Sequence, residues 1–196
     1  MKLRRRLALS APFAALLLAG CGVNAIPTAE ENAKAKWADV ENQYQRRADL
    51  IPNLVATVKG YATHEQDTLT AVVDARAKAT QVTVNTGDLT DPDKMKQFQD
   101  AQNSLSGALG KLLSVQEAYP QLQADQNFLA LQSQLEGTEN RIAVARSDYN
   151  AAVQAYNTQI RTFPDSITAK VVYGAKPITP FTATTPNAET APTVKF

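Results

Sequence analysis

Residues 126–163 read QNFLALQSQLEGTENRIAVARSDYNAAVQAYNTQIRTF. Within this run Phe128, Leu131, Leu135, Thr138, Ile142, Ala145, Tyr149, Ala152 and Tyr156 recur at alternating spacings of three and four. Ile160 and Phe163 finish the row with a one-residue drift. Such a row is one α-helix, about 55 Å long at 1.5 Å per residue. A heptad spacing held this long keeps one face against its neighbours, so the helices pack nearly antiparallel in a left-handed bundle. Asp125 stands where an N-cap is needed.

The segments before it obey the same rule. Phe98, Ala101, Leu105, Ala108, Leu112, Val115 and Tyr119 are spaced in heptads, and Pro120 stops that helix. Asn85 to Asp91 reads as a loop, with Asp91 as N-cap and Pro92 at the first helical position. Further upstream the apolar stripe is Trp37, Val40 and Tyr44, a break at Arg47, then Ile51, Leu54, Val58 and Tyr61; it loosens there and resumes through Leu69, Val72, Val73 and Val82. Pro52 falls inside this phase, where proline costs about 3 kcal/mol and bends a helix. Two readings remain open, one long kinked helix or two helices meeting near Leu50, and the unbroken phase favours the first. Thr28-Ala29-Glu30-Glu31 has the form of a capping box, with Pro27 outside the helix.

Past Phe163-Pro164 the composition changes. Ser166 to Tyr173 reads as a short helix stopped at Gly174, and the prolines and threonines beyond it as an extended strap. Phe181 and Phe196 are the side chains able to pin that strap to the bundle. The predicted fold is therefore all-α: a long antiparallel helical bundle with a kinked first helix and an extended C-terminal strap. The expected division is a signal peptide over 1–20, a tether over 21–27, the bundle over 28–163 and the C-terminal segment over 164–196.

The N-terminus carries its own message. Lys2, Arg4, Arg5 and Arg6 precede an apolar run from Leu7 to Gly20, the layout of a secretory signal. Leu18-Ala19-Gly20-Cys21 resembles the lipobox of bacterial lipoproteins, in which the cysteine is lipidated and becomes the first residue of the mature chain. The apolar run is shorter than the roughly 20 residues a spanning helix needs, and Pro12 interrupts it. Cys21 is the only cysteine, so lipidation leaves no thiol for a disulfide or a metal site. Multiple acyl chains suffice for stable anchoring, which takes at least two such signals. Gly22 rather than aspartate after Cys21 favours the outer membrane, facing the periplasm, over the cytoplasmic membrane in a host with two membranes.

Losing residues 1–20 removes four of the 20 Lys and Arg and none of the 19 Asp and Glu, which leaves a net charge of −3. A mildly acidic chain lacks the electrostatic footprint of a nucleic-acid binder. Abundant alanine and glutamine between Ala25 and Arg161, with few glycines, favour long helices over a sandwich or barrel.

Three segments together carry a family resemblance. Tyr44-Gln45-Arg46-Arg47-Ala48-Asp49-Leu50-Ile51-Pro52-Asn53-Leu54 is followed by Val58-Lys59-Gly60-Tyr61 and His64-Glu65. Leu135-Glu136-Gly137-Thr138-Glu139-Asn140-Arg141-Ile142-Ala143 leads to Ala145-Arg146. Tyr149-Asn150, Tyr156-Asn157 and Phe163-Pro164 complete the set. Over nearly the whole mature chain this resembles the LemA family of bacterial envelope proteins. The resemblance implies a long helical bundle, no enzymatic activity and no cofactor. It also implies envelope proteins as partners, with TPM-domain membrane proteins suggested by gene neighbourhood. Many members carry an N-terminal membrane segment, so the lipobox is a departure.

Candidate interaction residues are Arg46, Arg47, Asp49, Glu139, Asn140, Arg141 and Arg146. Their plain reading is as long side chains that reach the rim or pair across the bundle, and their functional one is as an ionic platform for a partner. Asn150 and Asn157 read as register-fixing polar residues. Enzymatic chemistry has little to build on. His64 is the sole histidine, which excludes a zincin motif and the paired Glu-x-x-His of di-iron bundles. No Gly-rich phosphate loop is present. Glu136 and Glu139 share a helix face, with a solvated face as the plain reading. Three functions are compatible with this, in decreasing order. The first is an anchored scaffold or adaptor, which can self-associate. The second is a binding module enclosing an apolar ligand or peptide, with a pocket lined by Tyr44, Tyr61, Tyr149 and Tyr156. The third is a hydrolase using Glu136 and Glu139.

Overall fold

The computed structural model describes residues 24–182. Four long helices form the body: α1 (Ala25–Tyr61), α2 (Gln66–Gln81), α3 (Pro92–Ser114) and, after the one-turn α4 (Pro120–Gln123), α5 (Gln126–Gln159). Short 3₁₀ turns at Thr86–Thr90 and Val115–Ala118 link them. A final turn, α6 (Asp165–Thr168), widens into a π-turn over Ala169–Tyr173. Gly174 stops it in the left-handed region at φ 57°, where a side chain is strained. An extended strap then covers residues 174–182. Among the described residues there is no strand, and the all-α bundle holds.

α1 packs along α5, and α2 folds back between α1 and α3. The α1–α5 pairing is antiparallel, since Lys36 meets Asp148, Arg47 meets Glu139 and Tyr61 meets Asp125. At 37 and 34 residues the pair forms a rod of about 50–55 Å. Asp125 fastens one end: its carboxylate accepts Phe128 N–H at 2.8 Å and the Tyr61 hydroxyl at 2.9 Å. Those donors, the backbone N–H first, hold the carboxyl below its ordinary range.

Two apolar clusters fill the rod. One is built from the first half of α1, the second half of α5, the start of α3 and the strap, around Trp37, Tyr44, Phe98, Tyr149 and Phe181. The Trp37 ring lies 5.3 Å from Phe98, 5.4 Å from Tyr149 and 5.7 Å from Phe181. Its indole N–H donates to Val84 O at 3.0 Å, which holds down the loop after α2. The other cluster joins the second half of α1 to α2, the end of α3 and the start of α5, through residues such as Leu54, Val72, Leu112 and Phe128.

Of the two readings at Pro52, the single helix is correct: α1 runs through it unbroken. Ile51 and Leu54 are fully buried on either side, and each such side chain contributes about 1.5–3 kcal/mol, enough to offset a proline in the middle. Proline has no N–H for the carbonyl four residues back, Ala48 O. That carbonyl is not orphaned. Arg76 on α2 reaches across and donates its Nε–H to it at 2.8 Å.

Other expectations need correction. α1 begins at Ala25, not Thr28, and the capping box does not form. The Thr28 hydroxyl instead donates to Asn24 O at 2.7 Å. Burial of Ile26 extends the helix, and Pro27 is tolerated because first-turn N–H groups have no intrahelical partner anyway. On α3 the buried face carries Gln102 and Leu109 in place of Ala101 and Ala108, which are only half-buried. The Asn85–Asp91 loop contains a 3₁₀ turn closed by reciprocal Asn85 and Asp88 contacts. Phe163 does not finish the α5 stripe but is 82% exposed, since α5 ends at Gln159. Phe196 lies outside the described residues. The caps at Asp91 and Asp125 stand as expected, and the α5 row from Phe128 to Ile160 is buried except at Leu131, which is half-buried.

The Arg76–Ala48 contact yields a test by double-mutant cycle. Arg76→Met is expected to cost about 1.5–3 kcal/mol in urea unfolding, the range for a hydrogen bond from a charged group. In a Pro52→Ala background, where residue 52 can itself donate to Ala48 O, the same change should cost under about 1 kcal/mol. Equal losses in both backgrounds would show that Arg76 does not serve the proline.

Candidate functional site

The two apolar clusters are separated by one polar layer, and Arg47 is its centre. The side chain is 1% exposed. Its Nη1 donates to Ser106 Oγ at 2.7 Å and to Glu139 Oε1 at 2.8 Å. Its Nη2 donates to Gln102 Oε1 at 2.6 Å and to Gln102 O at 3.2 Å. The guanidinium also lies over the Tyr44 ring, 5.0 Å from its centroid. One residue of α1 thus grips α3 and α5 together. A planar fork with five donors suits this arrangement, whereas a lysine offers a single point charge. Gln102 passes the connection on: its Nε2 donates to Ala79 O at 3.2 Å, one of the last-turn carbonyls of α2 that have no helical partner. The layer therefore ties all four long helices.

A second polar construction holds the strap. The Asn150 amide donates to Phe181 O at 3.0 Å and accepts from Phe181 N–H at 2.8 Å. Asn157 does the same for Ile178, at 2.8 and 2.9 Å. A side-chain amide has the donor and acceptor of a peptide group, so each asparagine pairs with the strap as a neighbouring strand would. The spacing follows from geometry. Seven helical residues advance about 10.5 Å, and three extended residues about 10 Å. The Tyr149 hydroxyl donates to Thr179 O at 2.9 Å, and Thr179 N–H donates to Leu89 O at 2.8 Å. The Arg146 guanidinium sits 4.6 Å above the Phe181 ring. Burial pushes the Tyr44 and Tyr149 hydroxyls up, so both remain neutral hydrogen-bonding groups.

Placed on this frame, the candidate residues divide. Arg47 is buried and meets Glu139 at the bundle's rim, where the Glu139 side chain is 46% exposed, and Arg146 belongs to the strap clasp. Arg46 and Asp49 are exposed on another face of α1, where Asp49 accepts Gln45 Nε2 at 2.7 Å. Arg141 is exposed on α5. Asn140 lines an open groove of about 540 Å³ between α3 and α5, with Leu109, Leu113, Leu135 and Glu136. The seven residues do not form one platform. Cys21 lies outside the described residues. Asn150 and Asn157 bind the strap rather than setting helix register. That function left a trace in the sequence, the repeated Tyr-Asn pair seven apart. The polar layer left less: Gln102 and Ser106 are ordinary helix residues in the one-dimensional pattern.

The tyrosine-lined pocket does not form. Tyr44, Tyr149 and Tyr156 are buried among other core side chains, and Tyr61 is at the far end of α1 on Asp125. Glu139 is bound by Arg47 and Glu136 accepts Gln132 Nε2 at 3.0 Å. No group of three or more His, Cys, Asp and Glu among the described residues could hold a metal ion. No helix among them is long and apolar enough to cross a membrane.

Two variants report on the site. Glu139→Gln should cost about 1–3 kcal/mol in chemical denaturation, since it strips a buried guanidinium of its counter-charge. With Arg47→Met in place the same substitution should cost under about 0.5 kcal/mol; unchanged costs would mean the pair is not coupled. Asn150→Ala is expected to cost about 2–3 kcal/mol by leaving two strap backbone groups without partners. Amide exchange at Phe181 should then accelerate at least tenfold, while that of α2 residues follows only the global loss. Unaltered protection at Phe181 would refute the clasp.

Comparison with known proteins places this architecture. The LemA family model matches residues 36–196. Magnetosome protein MamQ 2 of Paramagnetospirillum magneticum is 30% identical, over 72% of this chain and 58% of its own length. MamQ of Magnetospirillum gryphiswaldense is 28% identical over the same shares. Protein LemA of Metamycoplasma hominis is 30% identical over 61% of this chain and 50% of its own. The chain thus spans half to three-fifths of the relatives it matches. The matched segment contains both the Arg47 layer and the strap clasp, and the chain belongs to the LemA family.

Proposed function

We propose that the protein is a lipid-anchored, non-enzymatic adaptor of the bacterial envelope, acting through its helical surfaces. One observation carries this reading: the charged and polar side chains with unusual surroundings are engaged in holding helices and strap together. Arg47, Glu139, Gln102, Asn150, Asn157 and Tyr149 all have structural partners, which leaves no assembled set of groups for acid–base or nucleophilic chemistry among the described residues. The signal layout and Cys21 supply the attachment, and Gly22 favours the outer membrane. Anchored at its N-terminal end, a rod of this length sets its far tip about 50 Å from the lipid, a reach suited to docking another envelope protein. A second reading, an extended peptide or apolar ligand held by the bundle, rests on the α3–α5 groove beside Leu109, Leu113 and Leu135.

Mild cross-linking of intact cells, purification through a C-terminal tag and mass spectrometry test the proposal, with Cys21→Ser alongside. The expected result is a stoichiometric envelope partner that disappears in the unanchored variant. A partner retained equally by Cys21→Ser would remove the anchor from the function, and self-linked species alone would replace the adaptor with a self-assembling role.

A further inference from the structure

The large exposed apolar side chains are not spread evenly. Nine are present among the described residues, and five of them fall between residues 163 and 173: Phe163 (82% exposed), Ile167 (58%), Val171 (78%), Val172 (65%) and Tyr173 (41%). They ride on the turn that follows α5. A buried-core role is excluded by their exposure, and solubility argues against such a concentration on a free surface.

Position gives the patch a meaning. In the antiparallel α1–α5 pair the end of α5 is level with the start of α1, as the Lys36–Asp148 and Arg47–Glu139 contacts fix the register. The patch therefore lies at the end of the rod where α1 begins. Cys21 is three residues before Asn24, within about 11 Å of chain. Charge agrees. Arg161, Lys170 and Lys176 are exposed around the patch. The one acid in that stretch, Asp165, is half-buried and accepts Gln159 Nε2 at 3.0 Å. The nearby acids of α1, Glu30 and Glu31, are both bridged by Lys34, whose ammonium they push up to about 12. Valine, isoleucine and phenylalanine ringed by cations, with a tyrosine at the edge, match the chemistry of a bilayer interface.

We propose that the turn over residues 163–173 is a second membrane contact, which inserts its apolar side chains into an anionic phospholipid surface beside the lipidated N-terminus. A single flexible tether lets a rod lie or swing; two contacts at one end would hold it upright. The inference uses the anchor reading only to say which end faces lipid, and its test dispenses with the anchor.

The unlipidated chain from residue 21, carrying Cys21→Ser, is mixed with vesicles of phosphatidylglycerol and phosphatidylethanolamine and sedimented. Partition onto these vesicles is expected. The pair Val171→Asp and Val172→Asp should reduce it about tenfold, as expected where binding scales with buried apolar area, without changing the thermal melt. Val144→Asp, an equally exposed apolar site (62%) midway along the rod, should leave it unaltered. Phe163→Trp should show a blue-shifted emission quenched by brominated lipid. No partition by the parent chain, or equal partition by all variants, would overturn the proposal. Self-association abolished by the valine changes would also do so, by assigning the patch to a second copy. Equal partition onto pure phosphatidylcholine would overturn the charge recognition. None of these results depends on whether Cys21 is acylated in cells or on which partner the rod meets.

Discussion

A buried guanidinium dictates much of this structure. Arg47 is 1% exposed, and an unpaired charge there would cost several kcal/mol. Three neutral acceptors and one carboxylate converge on it, so α1, α3 and α5 must lie at one height and one rotation. A purely apolar heptad seam lacks that property, because leucine rows can slide by a turn at modest cost. Gln102 extends the constraint to the end of α2. The layer separates the cluster that holds most of the buried aromatic rings from a mainly aliphatic one, and it fixes their alignment.

Polar groups recur as the means by which backbone irregularities are satisfied. Arg76 supplies the donor that Pro52 removes from Ala48 O. Trp37 secures a loop carbonyl and Gln102 a helix-end carbonyl. Asp125 both starts α5 and holds the end of α1 through Tyr61. Each of these side chains comes from a different element than the group it satisfies, Asp125 at its own cap excepted. Local departures from ideal helix are thereby converted into long-range links.

The helices were legible in the sequence because a heptad stripe is a local signal. The α5 row from Phe128 to Tyr156, the Asp91-Pro92 start and the Gly174 stop all follow from short-range chemistry. Errors appeared where a tertiary partner decided the outcome. Burial of Ile26 moved the start of α1 past Pro27. On α3 the core face rotated toward Gln102 because Arg47 and Ala79 O needed its amide, something no alanine at 101 offers. The Asn150 and Asn157 pair was visible, yet its role was not, since a strap more than twenty residues away supplies the other half of the bond. The apolar patch at the end of the rod left no such signal, because periodicity alone cannot register an end.

The clasp also imposes a rule of proportion on length. Residues 150 and 157 of the helix are matched to 181 and 178 of the strap, so helix and strap share a common ruler. A relative that gains or loses one heptad in this part of α5 must change its strap by about three residues to keep both amides paired, since the two steps are nearly equal. A helix altered by four residues would turn the asparagines about 40° off line, which no change in strap length corrects. Indels in the two segments should therefore arise together and in the ratio of seven to three, even though the segments are separated in the chain by a turn that has no such restriction.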